Sequence, residues 1–167
     1  MNSLYERRLP SPLGELHVVA SDDAIVGVYW PGHKGAPVIV AKDGRAHPVL
    51  DEASRQIQAY FAGERELFSL PLDLQGSTFQ REVWALLADI PFGETRSYAE
   101  LARALGRPQA ARAVGAANAK NPISIIVPCH RVIAGNGDLT GYAGGVATKR
   151  WLLSHEQARR VPRLAIG

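Results

Sequence analysis

The texture of the chain changes at Gly76, and no single regular architecture can span both sides of that change. Before it, Leu4–Leu9, Glu15–Ala20 and Ile25–Trp30 are short runs of β-branched and aromatic residues. The turn chemistry of Pro10–Gly14 and Ser21–Asp23 separates them. Pro31–Gly44 is rich in Gly and Pro and reads as a loop. The spacing of Leu50, Ala53, Ile57, Tyr60 and Phe61 predicts a helix over Pro48–Ala62, stopped by Gly63. Leu67–Leu74 alternates apolar and polar residues, which suits a strand or an extended connector.

After Gly76 the helical period takes over. Ser77 suits an N-cap, and Phe79, Val83, Leu86 and Leu87 line one face of a helix that ends before Pro91. A short helix over Tyr98–Leu105 is capped by Ser97 and closed by Gly106. Arg107-Pro108 turns the chain, and Gln109–Lys120 forms an alanine-rich helix, so the pair reads as a helix-turn-helix. Ile123–Val127 is an apolar segment leading into Pro128-Cys129-His130-Arg131. A glycine-rich loop, Gly135–Gly145, precedes a last helix from about Val146 to Arg160. The expected class is α+β: a small α/β domain over residues 1–75 with antiparallel strands, and a mostly helical domain over residues 76–167.

Charge divides along the same line. Residues 1–90 hold eight Lys/Arg against twelve Asp/Glu, whereas residues 91–167 hold eleven against four, so net charges of −4 and +7 face a total of +3. A basic half beside an acidic one suggests that the second half meets a polyanion. The cations are spread out, which points to docking on a folded surface. No stretch approaches the roughly 18 apolar residues of a membrane helix, and Met1–Arg8 lacks the apolar run of a signal peptide. One cysteine allows neither an internal disulfide nor a multi-thiolate metal site. A cytoplasmic setting without a membrane is the expectation.

Cys129 sits between an apolar run and two basic residues. A thiolate is a strong nucleophile, and nearby positive charge or a histidine lowers a thiol pKa toward neutrality. A lone cysteine also serves as a small core hydrophobe, and the residues alone leave both readings open. Adjacent Cys and His in a strand would point apart, so a working pair needs a turn or a bridging water, and Pro128 suits a turn. Glu156 is either a surface carboxylate of the last helix or one aimed at His130, which would favour the protonated imidazole. Asn121, before Pro122, is a helix-end cap or a tie to the cysteine loop. Ala111-Arg112-Ala113 and the small residues after it suit either tight helix packing or a narrow groove probed by one arginine. Such a face does not suit major-groove readout, which needs several long polar side chains.

Together these residues resemble the O6-alkylguanine-DNA alkyltransferases (methylated-DNA–protein cysteine methyltransferases). The resemblance is carried by Pro128-Cys129-His130-Arg131-Val132, Ala111-Arg112-Ala113-Val114-Gly115 with Asn121-Pro122, and Gly141-Tyr142-Ala143-Gly144-Gly145 through Leu152-Leu153-Ser154-His155-Glu156. It is strong over Phe79–Glu156 and architectural before that. It implies a ribonuclease-H-like first domain and a winged-helix-like second one. Cys129 is then the alkyl acceptor, His130 a water-mediated base, Glu156 its orienter and Asn121 the brace of the cysteine loop. Arg112 is similar to a finger that enters the base stack from the minor groove, flanked by Ala111 and Ala113, with Arg107 nearby on the DNA side. Tyr98 resembles the tyrosine that helps the nucleotide rotate out and donates to the base. Tyr142, Ala143, Val132 and Lys149 match the alkylguanine pocket.

The implied reaction is a single-turnover transfer from O6-alkylguanine in duplex DNA, with O4-alkylthymine as a second candidate substrate, to give S-alkylcysteine. The target carbon is shielded in a duplex, so the base must be extruded, which costs a few kcal/mol. A thioether has no carbonyl for water to attack, so the thiol is spent. No cofactor is expected, since no glycine-rich strand–helix motif would hold S-adenosylmethionine. No metal is expected either: relatives that hold zinc do so through two cysteines and two histidines, and His17, His33 and His47 are expected as surface or core residues. Ala143 stands where some members carry Ser, and Thr140 where some carry Gly, both bearing on tolerance for bulky alkyl groups. The protein is expected to act as a monomer, with cooperative binding along DNA a further option. The alternative within the same family likeness is a non-catalytic alkyltransferase-like lesion binder, in which the reactive cysteine is commonly replaced by tryptophan. A thiol-sensing helix-turn-helix regulator and a cysteine hydrolase are the more distant rivals.

Overall fold

A computed structural model describes residues 3–139 and 141–166, with side chains described as far as Arg159. Thr140, invoked above for alkyl-size tolerance, lies outside the described residues. The chain forms two compact units. One comprises residues 1–75 together with Pro122–Ser124, and the other holds 76–121 and 125–167.

In the first unit the three β-branched runs form β1 (Tyr5–Leu9), β2 (Leu16–Ala20) and β3 (Ile25–Tyr29), paired antiparallel as β3-β2-β1. The strand content differs from the expectation at one point. Lys42-Asp43, inside the predicted loop, forms β4 and pairs parallel with β1, so the sheet is mixed. Two residues carry no periodicity, and only the open edge of β1 makes them a strand. Leu16, Val18, Val19, Ile25 and Val28 are buried, and α1 (Pro48–Phe61) packs against β1, β2 and β3. That helix contributes Leu50, Ala53, Ile57 and Tyr60 to the same core.

The start of α1 is set by His47, whose ring accepts from the backbone of Val49 and Leu50 and bonds the Ser21 carbonyl at 2.8 Å. Its end is set by Gly63, in the left-handed region at φ 79°. Of the other two histidines, His17 pairs with Glu6 at 2.6 Å and His33 packs edge-on against Tyr29. Residues 67–74 run extended: Ile25 donates to the Pro71 carbonyl and accepts from Asp73, both at 2.9 Å. Buried Gln56 meets Ser69 through its side-chain amide, donating to its carbonyl and accepting from its N–H. Pro122–Ser124 lies along β3 in the same way. Val28 donates to the Pro122 carbonyl at 2.9 Å, and the Ser124 N–H donates to the Val28 carbonyl at 3.2 Å.

In the second unit α2 (Thr78–Ala88) starts in a capping box of Ser77 and Gln80. Its buried side chains are Val83, Trp84 and Leu87, while Phe79 and Leu86, placed on the same face by their spacing, are only partly covered. A second box, Ser97 with Glu100, opens α3 (Tyr98–Ala104), which follows directly on the two-residue strand β5 (Arg96–Ser97). Gly106, at φ 73°, closes it. The next helix, α4 (Ala111–Ala119), begins two residues later than its alanine pattern suggests, and no side chain caps Ala110. Trp84 donates its indole N–H to the Ala117 carbonyl at 2.8 Å and so ties α2 to α4. A 3-10 turn over Cys129–Arg131 leads into β6 (Val132-Ile133), and α5 (Val146–Ile166) ends the fold.

Candidate functional site

The apolar run before the cysteine does not continue as a strand. Ile125 adopts φ 71°, a left-handed conformation that a β-branched residue rarely takes, and its side chain is buried. The reversed backbone then enters the 3-10 turn at Pro128, so Cys129 and His130 occupy a turn rather than opposite faces of a strand. Side-chain amides brace the approach. Asn121 donates to the Val127 carbonyl at 2.8 Å, and Asn118 donates to the Cys129 carbonyl at 3.3 Å. The tie expected of Asn121 is therefore present, and Asn118, one helical turn earlier, adds a second one that the sequence reading missed.

Glu156 is not a surface carboxylate. It is 1% exposed and bonds His130 Nε2 at 2.7 Å. Arg131 grips the same carboxylate with Nε at 2.9 Å and Nη2 at 3.1 Å, and donates to the Ile90 carbonyl through Nη1. The Gly93 N–H adds a further donor at 3.1 Å. Burial pushes the Glu156 carboxyl up, but the bonds from His130 and Arg131 and the Arg131 charge outweigh it and hold the group well below the usual carboxylate range. The sequence reading had Arg131 beside the thiol as a source of positive charge. The turn sends it to Glu156 instead.

This sharing changes the state of His130. Burial lowers its pKa, and the charges of Arg131 and Lys149 add to that; Glu156 opposes them without reversing the direction. Glu156 does favour the protonated imidazole, as expected of it, but burial outweighs that pull and the resting ring is neutral. With Nε2 on Glu156, Nδ1 is buried and has no hydrogen-bond partner among the described residues. The thiol also departs from expectation. Burial raises the Cys129 pKa, while hydrogen bonds from Asn121 and Tyr142 and the charge of Lys149 work against that. The resting nucleophile is a thiol and needs a base.

The other residues singled out from the sequence fall into two groups. Close to the thiol, Lys149 is fully buried, donates to the Val132 carbonyl at 2.5 Å and lies 5.8 Å from the centre of the Tyr142 ring. Burial lowers its pKa. Parallel pairing of β5 with β6, Arg96 opposite Val132, brings the start of α3 beside the cysteine turn. Tyr98 therefore stands there half-buried, its pKa raised by burial and by Cys129. A Cβ built on Gly115 would meet the Tyr98 ring at 3.7 Å, so the ring packs on α4. Ala143 is partly covered in the loop before α5. Away from the thiol, Arg112, Ala113 and Ala116 form an open face of α4, with Val114, Ala117 and Asn118 turned inward and Ala111 partly covered. The small residues are therefore not spent wholly on packing. Arg107 is exposed, with its guanidinium 5.5 Å from the Phe79 ring.

A buried thiol next to a carboxylate-anchored neutral imidazole, carried on a helix-turn-helix unit, defines a cysteine-nucleophile protein mounted on a nucleic-acid-binding scaffold. Family models described as 6-O-methylguanine DNA methyltransferase match the chain twice, the ribonuclease-like domain over residues 4–74 and the DNA binding domain over residues 78–158. The chain belongs to that family. A methylated-DNA–protein-cysteine methyltransferase of Methanosarcina barkeri is 55% identical over 154 residues, covering 92% of this chain and 98% of the relative. The constitutive one of Bacillus subtilis is 45% identical, covering 92% and 95%. Among solved structures, Mycobacterium tuberculosis OGT in complex with DNA superposes with a TM-score of 0.85 at 44% identity, over 93% of this chain and 94% of that one. The α+β architecture of ribonuclease-like and DNA-binding domains follows from this membership.

Proposed function

We propose that this protein repairs DNA by direct reversal, moving a methyl or other alkyl group from guanine O6 in an extruded nucleotide onto Cys129 in a single turnover. The observation that carries this reading is the neutral His130, anchored through Nε2 on Glu156 with Nδ1 left without a partner among the described residues, next to the thiol in the same turn. Such a ring takes the Sγ–H proton through one bridging water. The sulfur pair attacks the alkyl carbon in line, the C–O6 bond breaks, and its electrons pass to the base. One proton restores ordinary guanine; the Tyr98 hydroxyl, kept protonated by its raised pKa, is the donor at hand, and His130 releases the proton it took. The thioether product is inert to water, so the protein is consumed. The non-catalytic lesion binder is disfavoured because Cys129 is present and the base beside it is poised.

Duplex DNA is the partner, met from the minor groove by α4. Arg112 projects from its open face into the base stack, with Ala111 and Ala113 permitting close approach and Arg107 contacting the backbone. Tyr142, Ala143, the Val132 carbonyl and Lys149 form the pocket for the extruded base, and O4-alkylthymine is a second candidate substrate. No cofactor enters this scheme. The division of labour places support in residues 1–75 and chemistry in residues 76–167. The protein acts as a monomer. No helix of the described residues is long and apolar enough to cross a membrane; the reading places the protein in the cytoplasm, on DNA.

The test is nucleoside analysis of a duplex bearing one O6-methylguanine. Each protein molecule should convert one lesion to guanine, with no strand cut and no free base released; base release would overturn direct reversal. Arg112→Ala should slow repair of the duplex by about a hundredfold yet leave reaction with free O6-benzylguanine within about twofold, because the finger assists extrusion and not the transfer. Equal losses on both substrates would remove its assigned role.

A further inference from the structure

Among the described residues, Ile125 is the one residue other than glycine with a positive φ. In that left-handed conformation the branched Cβ crowds the following carbonyl, so glycine is the usual occupant. A side chain held there against its preference persists only where the surroundings fix it. They do so here on both sides. Ahead of Ile125, the Pro122 carbonyl and the Ser124 N–H are bonded to the Val28 backbone of β3, at 2.9 and 3.2 Å. Behind it, the Val127 carbonyl accepts from two donors, the Asn121 side-chain amide at 2.8 Å and the Cys129 N–H at 2.8 Å. The Ile125 side chain itself is 1% exposed. Only Ile125 and Ile126 separate the last residue tied to β3 from the carbonyl that holds the cysteine turn.

The direction of the Val127 carbonyl therefore depends on the reversal two residues earlier. An extended Ile125 would send that carbonyl away from Asn121 and from the Cys129 N–H, and the turn that carries the thiol would swing with it. Attack on an alkyl carbon needs the sulfur in line with the breaking C–O6 bond, and a misplacement of about 1 Å costs up to about a hundredfold in rate. Glycine would adopt the same φ without strain, but it would also leave the chain free to adopt others. We propose that Ile125 is a positioning residue for the transfer: its buried, left-handed backbone, clamped between the pairing with β3 and the Asn121 brace, aims the Cys129 sulfur at the alkyl carbon. This rests on the alkyltransferase reading above and deepens it.

Ile125→Gly separates aim from mere support, because it should move two reactions of the same thiol in opposite directions. Single-turnover methyl transfer from a duplex bearing O6-methylguanine should slow by about tenfold, with the Kd for that duplex unchanged. Carbamidomethylation of Cys129 by iodoacetamide needs no alignment with a bound base. Measured well below the melting temperature, it should quicken by about tenfold, because the thiol is only 5% exposed in the native turn. Ile125→Val keeps a branched side chain and should stay within about twofold of the native protein in both reactions. A residue that only fills the core would lower the melting temperature of Ile125→Gly yet leave the transfer rate per folded molecule unchanged, which overturns the proposal. Both reactions moving in the same direction overturn it as well. Should Ile125→Gly not fold, hydrogen exchange of the native protein decides: protection of the Cys129 N–H by about a thousandfold supports a rigid turn, and exchange at the unprotected rate overturns it. A native protein that takes no methyl from the duplex rejects the alkyltransferase reading, while the iodoacetamide and exchange measurements, which need no lesion, still judge whether Ile125 holds the thiol in place.

Discussion

Incubated with excess duplex carrying O6-methylguanine, the protein gains the mass of one methyl group and no more. Peptide mapping places that methyl on Cys129, and Cys129→Ser gains nothing. The effect is all-or-none because the chain has no second cysteine to take over. Serine also cannot substitute: an alcohol in a site whose burial already raises the thiol pKa would stay protonated and far less nucleophilic. The single addition follows from the product, a thioether with no hydrolysable bond. A gain on any other residue, or repeated turnover, would refute the assignment of Cys129. Unchanged mass with tight binding to the lesion would favour a recruiting protein that only recognises damage.

The second large effect lies at Glu156, where one carboxylate neutralises Arg131 and anchors His130 in a buried site. Glu156→Ala should cost about 3–5 kcal/mol in urea unfolding, because it strands a buried guanidinium as well as removing the carboxylate. Glu156→Gln preserves shape and should cost less, while alkyl transfer falls by about a hundredfold as the imidazole loses its anchor. The pH dependence has a definite sign. The Glu156 pKa is depressed in the folded protein, so its stabilisation is complete above the unfolded value of about 4.3 and is lost as pH falls toward the folded pKa. The His130 pKa is also depressed, so the unfolded chain gains a proton first, and stability begins to fall below about pH 6.5. Urea midpoints measured across this range should decline in the native protein and decline less steeply below about pH 4 in Glu156→Gln. Identical slopes would show that the carboxylate is not the acid-sensitive group.

Local chemistry made much of this molecule legible in its sequence. Ser77 and Ser97 begin helices because each is followed three residues later by a side chain that completes the capping box, and Gly63 and Gly106 end helices because they take positive φ. The Cys-His adjacency called for a turn or a bridging water, Pro128 suited a turn, and a turn is there. What stayed hidden depends on partners far along the chain. Lys42-Asp43 becomes a strand only because β1 offers an open edge. Arg131 was read as a neighbour of the thiol because it is adjacent in sequence; the 3-10 turn and the carboxylate 25 residues away decide where it goes. The protonation states of Cys129 and His130 follow from burial, which no residue spacing reveals. Asn118 is inconspicuous in an alanine-rich helix, since the Cys129 carbonyl it meets is a main-chain atom with no signature in the sequence.

The path of Pro122–Ser124 bears on the evolution and engineering of such proteins. These three residues lie against β3 through backbone bonds at Val28, so the chain visits the first unit, leaves it, and returns for one short stitch shortly before the nucleophile turn. The protein is therefore not a pair of interchangeable modules on a string. A gene fusion or truncation cut at Gly76 would part the Pro122 carbonyl and the Ser124 N–H from the Val28 backbone that pairs with both. Such a fragment keeps Cys129, His130 and Glu156 in its sequence, yet the segment that delivers the thiol has lost the strand it lies on. Residues 25–29 and 122–124, far apart in sequence, therefore have to be kept together in any exchange of segments.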